Sequence, residues 1–74
     1  MEITLYISSQ CQVCKRVQNQ LEHLVEENPE LYLMVKNIDE INETKAIIVP
    51  AVFLDNTLYS YGDINIEKLK RELP

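Results

Sequence analysis

Apolar and polar side chains alternate at the start of the chain, where Ile3, Leu5 and Ile7 are interleaved with Thr4, Tyr6 and Ser8. A period of two with β-branched and aromatic content predicts a strand from about residue 2 to 7. Ser8-Ser9-Gln10 supplies a turn, and the period then changes. Val17, Leu21, Leu24 and Val25 fall at i, i+4, i+7 and i+8, an apolar stripe that predicts a helix from about Cys11 to Glu27. Asn28-Pro29 ends it, because the proline ring disfavours helical backbone at the residue before it.

Leu31 to Ile38 is rich in Leu, Val, Tyr and Met with little strict alternation, the pattern of a strand covered on both faces. Strand, long helix and strand form a βαβ unit, whose two strands should be parallel and whose crossover should be right-handed. Asp39 to Ala46 predicts one or two helical turns at most. Ala51 to Leu54 and Leu58 to Tyr61 are short apolar runs separated by Asp55-Asn56-Thr57, a β-hairpin signal in which Asn56 tolerates positive φ. After Gly62, a cap at Asp63 or Asn65 introduces Ile66, Leu69 and Leu73 at i, i+3 and i+7, a closing amphipathic helix. The order is β-α-β-α-β-β-α with a short second helix, an α/β fold.

Seventy-four residues suffice for one compact core and leave no room for a second, so residues 1–74 are expected to form a single domain. Hydrophobic residues make up 46% and charged residues 26%, far from the composition of disorder. With 12 acidic residues against 7 basic ones and a net charge of -5, binding to nucleic acid through phosphate neutralisation is not expected. Apolar runs such as Ala46 to Leu54, broken by Pro50, fall well short of the roughly 20 residues of a membrane span. Met1 is followed by Glu2 and a strand pattern, without the basic segment or cleavage site of a signal peptide. The expectation is a cytoplasmic monomer. In a reducing compartment two closely spaced cysteines are rarely a structural staple, which turns attention to Cys11-Gln12-Val13-Cys14.

That pair lies between a strand and the first turn of a long helix. There Cys11 faces unpaired backbone N–H groups, and the positive end of the helix dipole favours thiolate over thiol. Its pKa should fall below the free value of about 8.5. Lys15 and Arg16 add positive charge, screened by solvent. Two intervening residues bring Cys14 within disulfide reach while turning it toward the buried side that carries Val17 and Leu21. Cys11 is therefore the candidate nucleophile and Cys14 the candidate resolving thiol.

Other readings stand beside this one. A cysteine at a helix start can be a small buried hydrophobe without chemistry. A zinc site needs about four ligands, and beyond the two cysteines the chain offers only His23 and scattered carboxylates. His23 lies about two and a half helical turns past Cys14, too far to share an ion, and is expected as a surface residue. A metal or iron-sulfur cluster would need the cysteines of two chains. Pro50 opens the third strand, a position where proline is tolerated, and the sequence by itself leaves its peptide isomer open. Tyr59 and Tyr61 alternate on the last strand, where one is expected to pack and the other to cover an edge.

Leu5-Tyr6, Cys11-Gln12-Val13-Cys14-Lys15-Arg16, Val49-Pro50-Ala51-Val52-Phe53-Leu54 and Gly62-Asp63 together resemble the thioredoxin superfamily, and within it the short glutaredoxin-like and small thioredoxin-like proteins. The resemblance spans nearly the whole chain. It implies a four-stranded mixed sheet flanked by helices, an exposed nucleophilic Cys11 and a resolving Cys14. It also implies a cis Val49-Pro50 bond beside the thiols, with the backbone of Val49 pairing with an extended substrate alongside Gln12 and Val13. In glutaredoxins the position of Gly62-Asp63 helps hold glutathione. The chain departs from the family in lacking proline within the motif, tryptophan before Cys11, and the basic residue that glutaredoxins place ahead of the first cysteine.

The leading expectation is thus a disulfide reductase acting on protein or small-molecule disulfides. It would need no cofactor beyond its own redox-active disulfide and no metal, and would be re-reduced by glutathione or by an upstream reductase. The alternatives are a non-catalytic module that binds an extended peptide near Pro50, or a metal or cluster carried by the cysteine pair in a dimer.

Overall fold

The computed structural model describes residues 1–40 and 48–73. Strand β1 (Glu2–Ile7) leads into helix α1 (Gln12–Glu27), which returns the chain to strand β2 (Tyr32–Asn37). Strands β3 (Ala51–Leu54) and β4 (Thr57–Tyr61) follow, and helix α2 (Ile66–Glu72) closes the chain. The sheet order is β2-β1-β3-β4. β1 and β2 are parallel, while β3 is antiparallel to both β1 and β4. This is the mixed four-stranded sheet that the resemblance implies, with the parallel βαβ pair and the hairpin that the residue pattern predicts. Of the expected short helix over 39–46, Asp39 and Glu40 lie in a turn after β2 and the rest falls outside the described residues.

One face of the sheet forms the core. Ile3 and Leu5 of β1 and Val52 of β3 pack against Val17, Leu21 and Leu24 of α1 and Leu69 of α2, with Leu31 and Ile64 completing the buried cluster. The strand period explains which residues point there: Ile3 and Leu5 face the helices, and their neighbours Thr4 and Tyr6 face the other way. On that second face Tyr6 and Phe53 meet edge to face with ring centroids 5.5 Å apart, a favoured aromatic geometry.

β2 corrects one expectation. It is an edge strand, not a strand covered on both faces: Tyr32 and Met34 are 70% and 44% exposed, while Leu33 and Val35 pack against the core. The apolar character of Tyr32 and Met34 hides an alternation that the sheet makes plain. The β3–β4 hairpin closes through Asp55 and Asn56, both at positive φ (47° and 70°), as a two-residue turn of matching twist requires. Thr57 therefore begins β4 and is not part of the turn. The hairpin end is locked to β1, since Glu2 N–H donates to Asp55 Oδ1 and Asp55 N–H to the Glu2 carbonyl, each at 2.9 Å.

Candidate active site

The sheet topology decides what can meet at its end. β2 is parallel to β1, and two successive antiparallel pairings make β4 run in the direction of β1 as well. The C-terminal ends of β1, β2 and β4 therefore share one end of the sheet with the start of β3. Four segments converge there: the loop into Cys11, the turn at Asp39, Val49-Pro50, and Gly62-Asp63. Motifs that are scattered in the sequence are thereby gathered at one end of one sheet.

Cys11 is the N-cap of α1, with extended backbone (φ -112°, ψ 109°). Its Sγ accepts the backbone N–H of Cys14 at 3.0 Å, the place usually taken by a Ser, Thr, Asp or Asn oxygen. Cys11 and Cys14 are joined by a disulfide whose Cα atoms lie 5.2 Å apart. The two cysteines differ in access, and Cys11 is half-buried where the resemblance implies an exposed residue. Cys14 is 1% exposed, turned into the helix face that also carries Val17 and Leu21. Cys11 lines an open depression of about 410 Å³ together with Ser9, Gln10, Gln12 and Lys15.

The remaining sequence-derived candidates are placed as follows. Gln12 is exposed and Val13 half-buried against the core. Val49 is half-buried, and Pro50 is among the fully buried residues. The Val49-Pro50 peptide is cis. The Pro50 carbonyl accepts the N–H of Gly62 at 2.7 Å, and Gly62 has φ +73°, a conformation that glycine adopts without steric cost. Asp63 faces α1: its carboxylate accepts from Arg16 Nη2 at 2.8 Å and from Arg16 Nε at 3.4 Å. Asp63 Oδ1 also accepts the N–H of Ile64 at 3.0 Å. The Arg16 guanidinium beside it holds the Asp63 carboxyl below the usual carboxylate range. The cap of α2 is Asn65, whose Oδ1 accepts the Lys68 N–H, so of the two capping candidates Asn65 takes the role.

The charge pattern near the thiols also differs from expectation. Arg16 is committed to Asp63, which leaves Lys15 as the cation at the depression; among the described residues Lys15 has no ion-pair partner. His23 sits far along α1, 79% exposed and 4.0 Å from Glu26. Among the described residues no three His, Cys, Asp or Glu side chains cluster as metal ligands do. Tyr59 packs against the core while Tyr61 is 48% exposed.

A second polar knot, at Asp39, carries no motif in the sequence. Asp39 Oδ2 accepts the Ser9 N–H at 3.0 Å, Asn37 Nδ2 donates to Ser9 Oγ at 3.3 Å, and the Asp39 N–H donates to Asn37 Oδ1 at 2.9 Å. The hydrogen bond from the Ser9 backbone lowers the Asp39 pKa. Asn37-Ile38-Asp39 is a short turn signal of the kind in which Asn and Asp side chains bond nearby backbone. What it grips lies about 30 residues away, and only the parallel β1–β2 pairing reveals it.

The comparisons agree with this geometry. The chain aligns over 96% of its length with a thioredoxin from Fasciola hepatica, covering 75% of that chain with a TM-score of 0.71 at 20% identity. At that identity the likeness establishes the thioredoxin-like fold. No curated protein gives a significant sequence match. A family model described as Glutaredoxin-like domain (DUF836) matches residues 2–74. With its cysteine pair at the head of α1 and the thioredoxin-like sheet beneath it, the chain belongs to the glutaredoxin-like domain family of the thioredoxin superfamily.

Proposed function

We propose that this chain is a thiol-disulfide oxidoreductase that reduces protein or small-molecule disulfides, with Cys11 as nucleophile and Cys14 as resolving thiol. One observation carries the reading: the two bonded cysteines sit at the head of a helix, Cys11 half-buried and lining an open depression, Cys14 fully buried. The N-cap contact explains how Cys11 would be activated. A sulfur that accepts a backbone N–H at the positive end of a helix dipole is stabilised as thiolate.

In the reductive half, the Cys11 thiolate attacks one sulfur of the substrate disulfide. A Cys11–substrate disulfide forms, and the other substrate sulfur leaves as a thiolate and takes up a proton. Cys14, deprotonated in its turn, then attacks the Cys11 sulfur and expels the second substrate thiolate, which is also protonated. Two electrons and two protons have passed from the dithiol to the substrate, and the Cys11–Cys14 disulfide remains. Glutathione or an upstream reductase returns the dithiol. In this reading Gln12, Val13 and the backbone of Val49 receive an extended substrate, and Gly62-Asp63 borders it. The work is cytoplasmic, done by a monomer without metal or bound cofactor.

The test is differential reactivity. In the reduced protein at neutral pH, iodoacetamide should label Cys11 much faster than Cys14. A Cys14→Ser variant should accumulate mixed disulfides with substrate, because attack survives and resolution is lost. Equal labelling, or trapping by Cys11→Ser as efficient as by Cys14→Ser, refutes the assigned roles.

A further inference from the structure

The cysteine frame is held from both sides by carboxylates. Asp39 grips the chain at Ser9, two positions before Cys11, and Asp63 grips it at Arg16, two positions after Cys14. The two carboxylates come from opposite edges of the sheet, since Asp39 follows edge strand β2 and Asp63 follows edge strand β4. β1, which delivers Cys11, lies inside the sheet, so each grip reaches inward over the same end. The two grips differ in kind, Asp39 holding a backbone amide and Asp63 an ion pair. Asp39 takes a backbone N–H while Asn37 holds the Ser9 hydroxyl, and Asp63 takes two guanidinium nitrogens.

The Asp63 grip has a further connection. Its neighbour Gly62 donates to the Pro50 carbonyl, so Arg16, Asp63, Gly62 and Pro50 form a continuous polar link from α1 to the start of β3. Among the described residues the hydrogen bond to a cysteine sulfur comes from the Cys14 N–H and from none of these groups. They fix the segments on which the sulfurs ride.

We propose that Asp39 and Asp63 are paired positioning residues that hold the Cys11–Cys14 frame in its disulfide-forming geometry from the two edges of the sheet. The inference rests on the redox reading given above. Its physical content is effective concentration: a disulfide closes readily only when the second thiol is kept against the first, and a looser frame lowers that local concentration. Releasing either grip should therefore favour the open dithiol over the closed disulfide while leaving the fold in place. The core that makes the fold lies on the helix-covered face of the sheet and uses neither carboxylate.

The experiment equilibrates the full chain with mixtures of reduced and oxidised glutathione, quenches in acid, and counts free thiols by mass after alkylation. The reaction balances as one protein dithiol plus one oxidised glutathione giving one protein disulfide plus two reduced glutathiones. Asp39→Ala and Asp63→Asn should each shift the equilibrium toward the dithiol by about two- to five-fold, the scale of single exposed polar pairs. The double variant should shift it about ten-fold, the sites being separate enough to add. Two rescues distinguish positioning from general loosening. Asp39→Asn, which keeps an acceptor oxygen for the Ser9 N–H, should stay close to wild type, and swapping the pair as Arg16→Asp with Asp63→Arg should recover most of the Asp63→Asn loss. Far-UV circular dichroism of every reduced variant should match wild type. A double variant within two-fold of wild type, or a swap that deepens the defect, overturns the inference. If wild type itself shows no reversible two-thiol transition, the proposed function falls and this inference with it, so the two failures are told apart by the wild-type curve.

Discussion

The two helices obey different rules. α2 has seven residues and a single buried side chain, Leu69, and it satisfies its ends locally. Asn65 caps it, Glu67 stands in the first turn, and Lys70 and Arg71 stand in the last, each sign of charge at the dipole end that favours it. α1 has sixteen residues and buries Cys14, Val17, Leu21 and Leu24, yet it has no acidic residue in its first turn and no basic residue in its last. Its cap is a sulfur. The difference teaches where each helix gets its stability: α2 leans on its termini because its packing is thin, whereas α1 is held by its buried stripe. A carboxylate in the first turn of α1 would compete with a Cys11 thiolate for the same positive end of the helix. The sequence leaves that end free of acids.

This contrast is easiest to break by attacking what each helix depends on. Leu21→Ala removes a fully buried side chain from the α1 stripe and should cost about 2–5 kcal/mol, a large share of the roughly 4–11 kcal/mol expected for a chain of this size. Urea unfolding of the oxidised protein measures it. Asn65→Ala takes the cap from α2 and should cost about 1 kcal/mol. If the cap variant loses more than the core variant, the division of labour between the helices is wrong. Cys11→Ser is the counterpart cap experiment on α1. Serine is a good cap, so against reduced wild type the variant should be as stable or slightly more so, while disulfide turnover is abolished.

A gentler change sharpens the same contrast. Gln12→Glu, at an exposed first-turn position, gives α1 the acidic start that α2 already has. It should raise stability by about 0.3–1 kcal/mol and at the same time slow alkylation of Cys11 at neutral pH by about two- to five-fold, because the carboxylate disfavours the thiolate. Thermal melts and iodoacetamide kinetics read the two effects separately. A higher melting temperature with unchanged Cys11 reactivity would mean that the helix end does not govern the thiol.

Much of this architecture is legible in the order of the residues. Period-two and period-3.6 patterns place β1, α1 and α2 within a residue or so, and the apolar stripe of Val17, Leu21 and Leu24 is the one that packs. Cys11 and Cys14 read directly from their position between a strand and a helix. β2 misreads because Tyr32 and Met34 are apolar residues on an exposed edge, and hydropathy does not record which strand ends a sheet. The hairpin shifts by one residue because Asp55 as well as Asn56 takes positive φ. Arg16 reads as a free cation near the thiols, yet its partner Asp63 lies 47 positions away. Local patterns carry local structure; the grips on the cysteine frame are long-range contacts, and only the strand order brings them into view.

The smallest expected effect concerns how the start of α1 is held from outside, in contrast to α2 with its own cap and end charges. Asp39 has a lowered pKa because the Ser9 backbone N–H bonds its carboxylate, and Asp63 because Arg16 does. A carboxyl whose folded pKa lies below its unfolded value releases its proton more readily in the folded state. Its contribution to stability is therefore complete above the ordinary carboxylate pKa of about 4 and disappears as pH falls through the lowered folded value. Both groups are exposed, so solvent keeps the effect modest. Melting temperatures of the oxidised protein taken from pH 6 down to pH 2 should fall below pH 4 for wild type. In an Asp39→Asn, Asp63→Asn double variant the midpoint should be slightly lower at pH 6 and the acid limb shallower, the two curves converging near pH 2. Parallel curves across the whole range would show that neither carboxylate is coupled to folding, and that α1 needs nothing at its head but its own buried stripe.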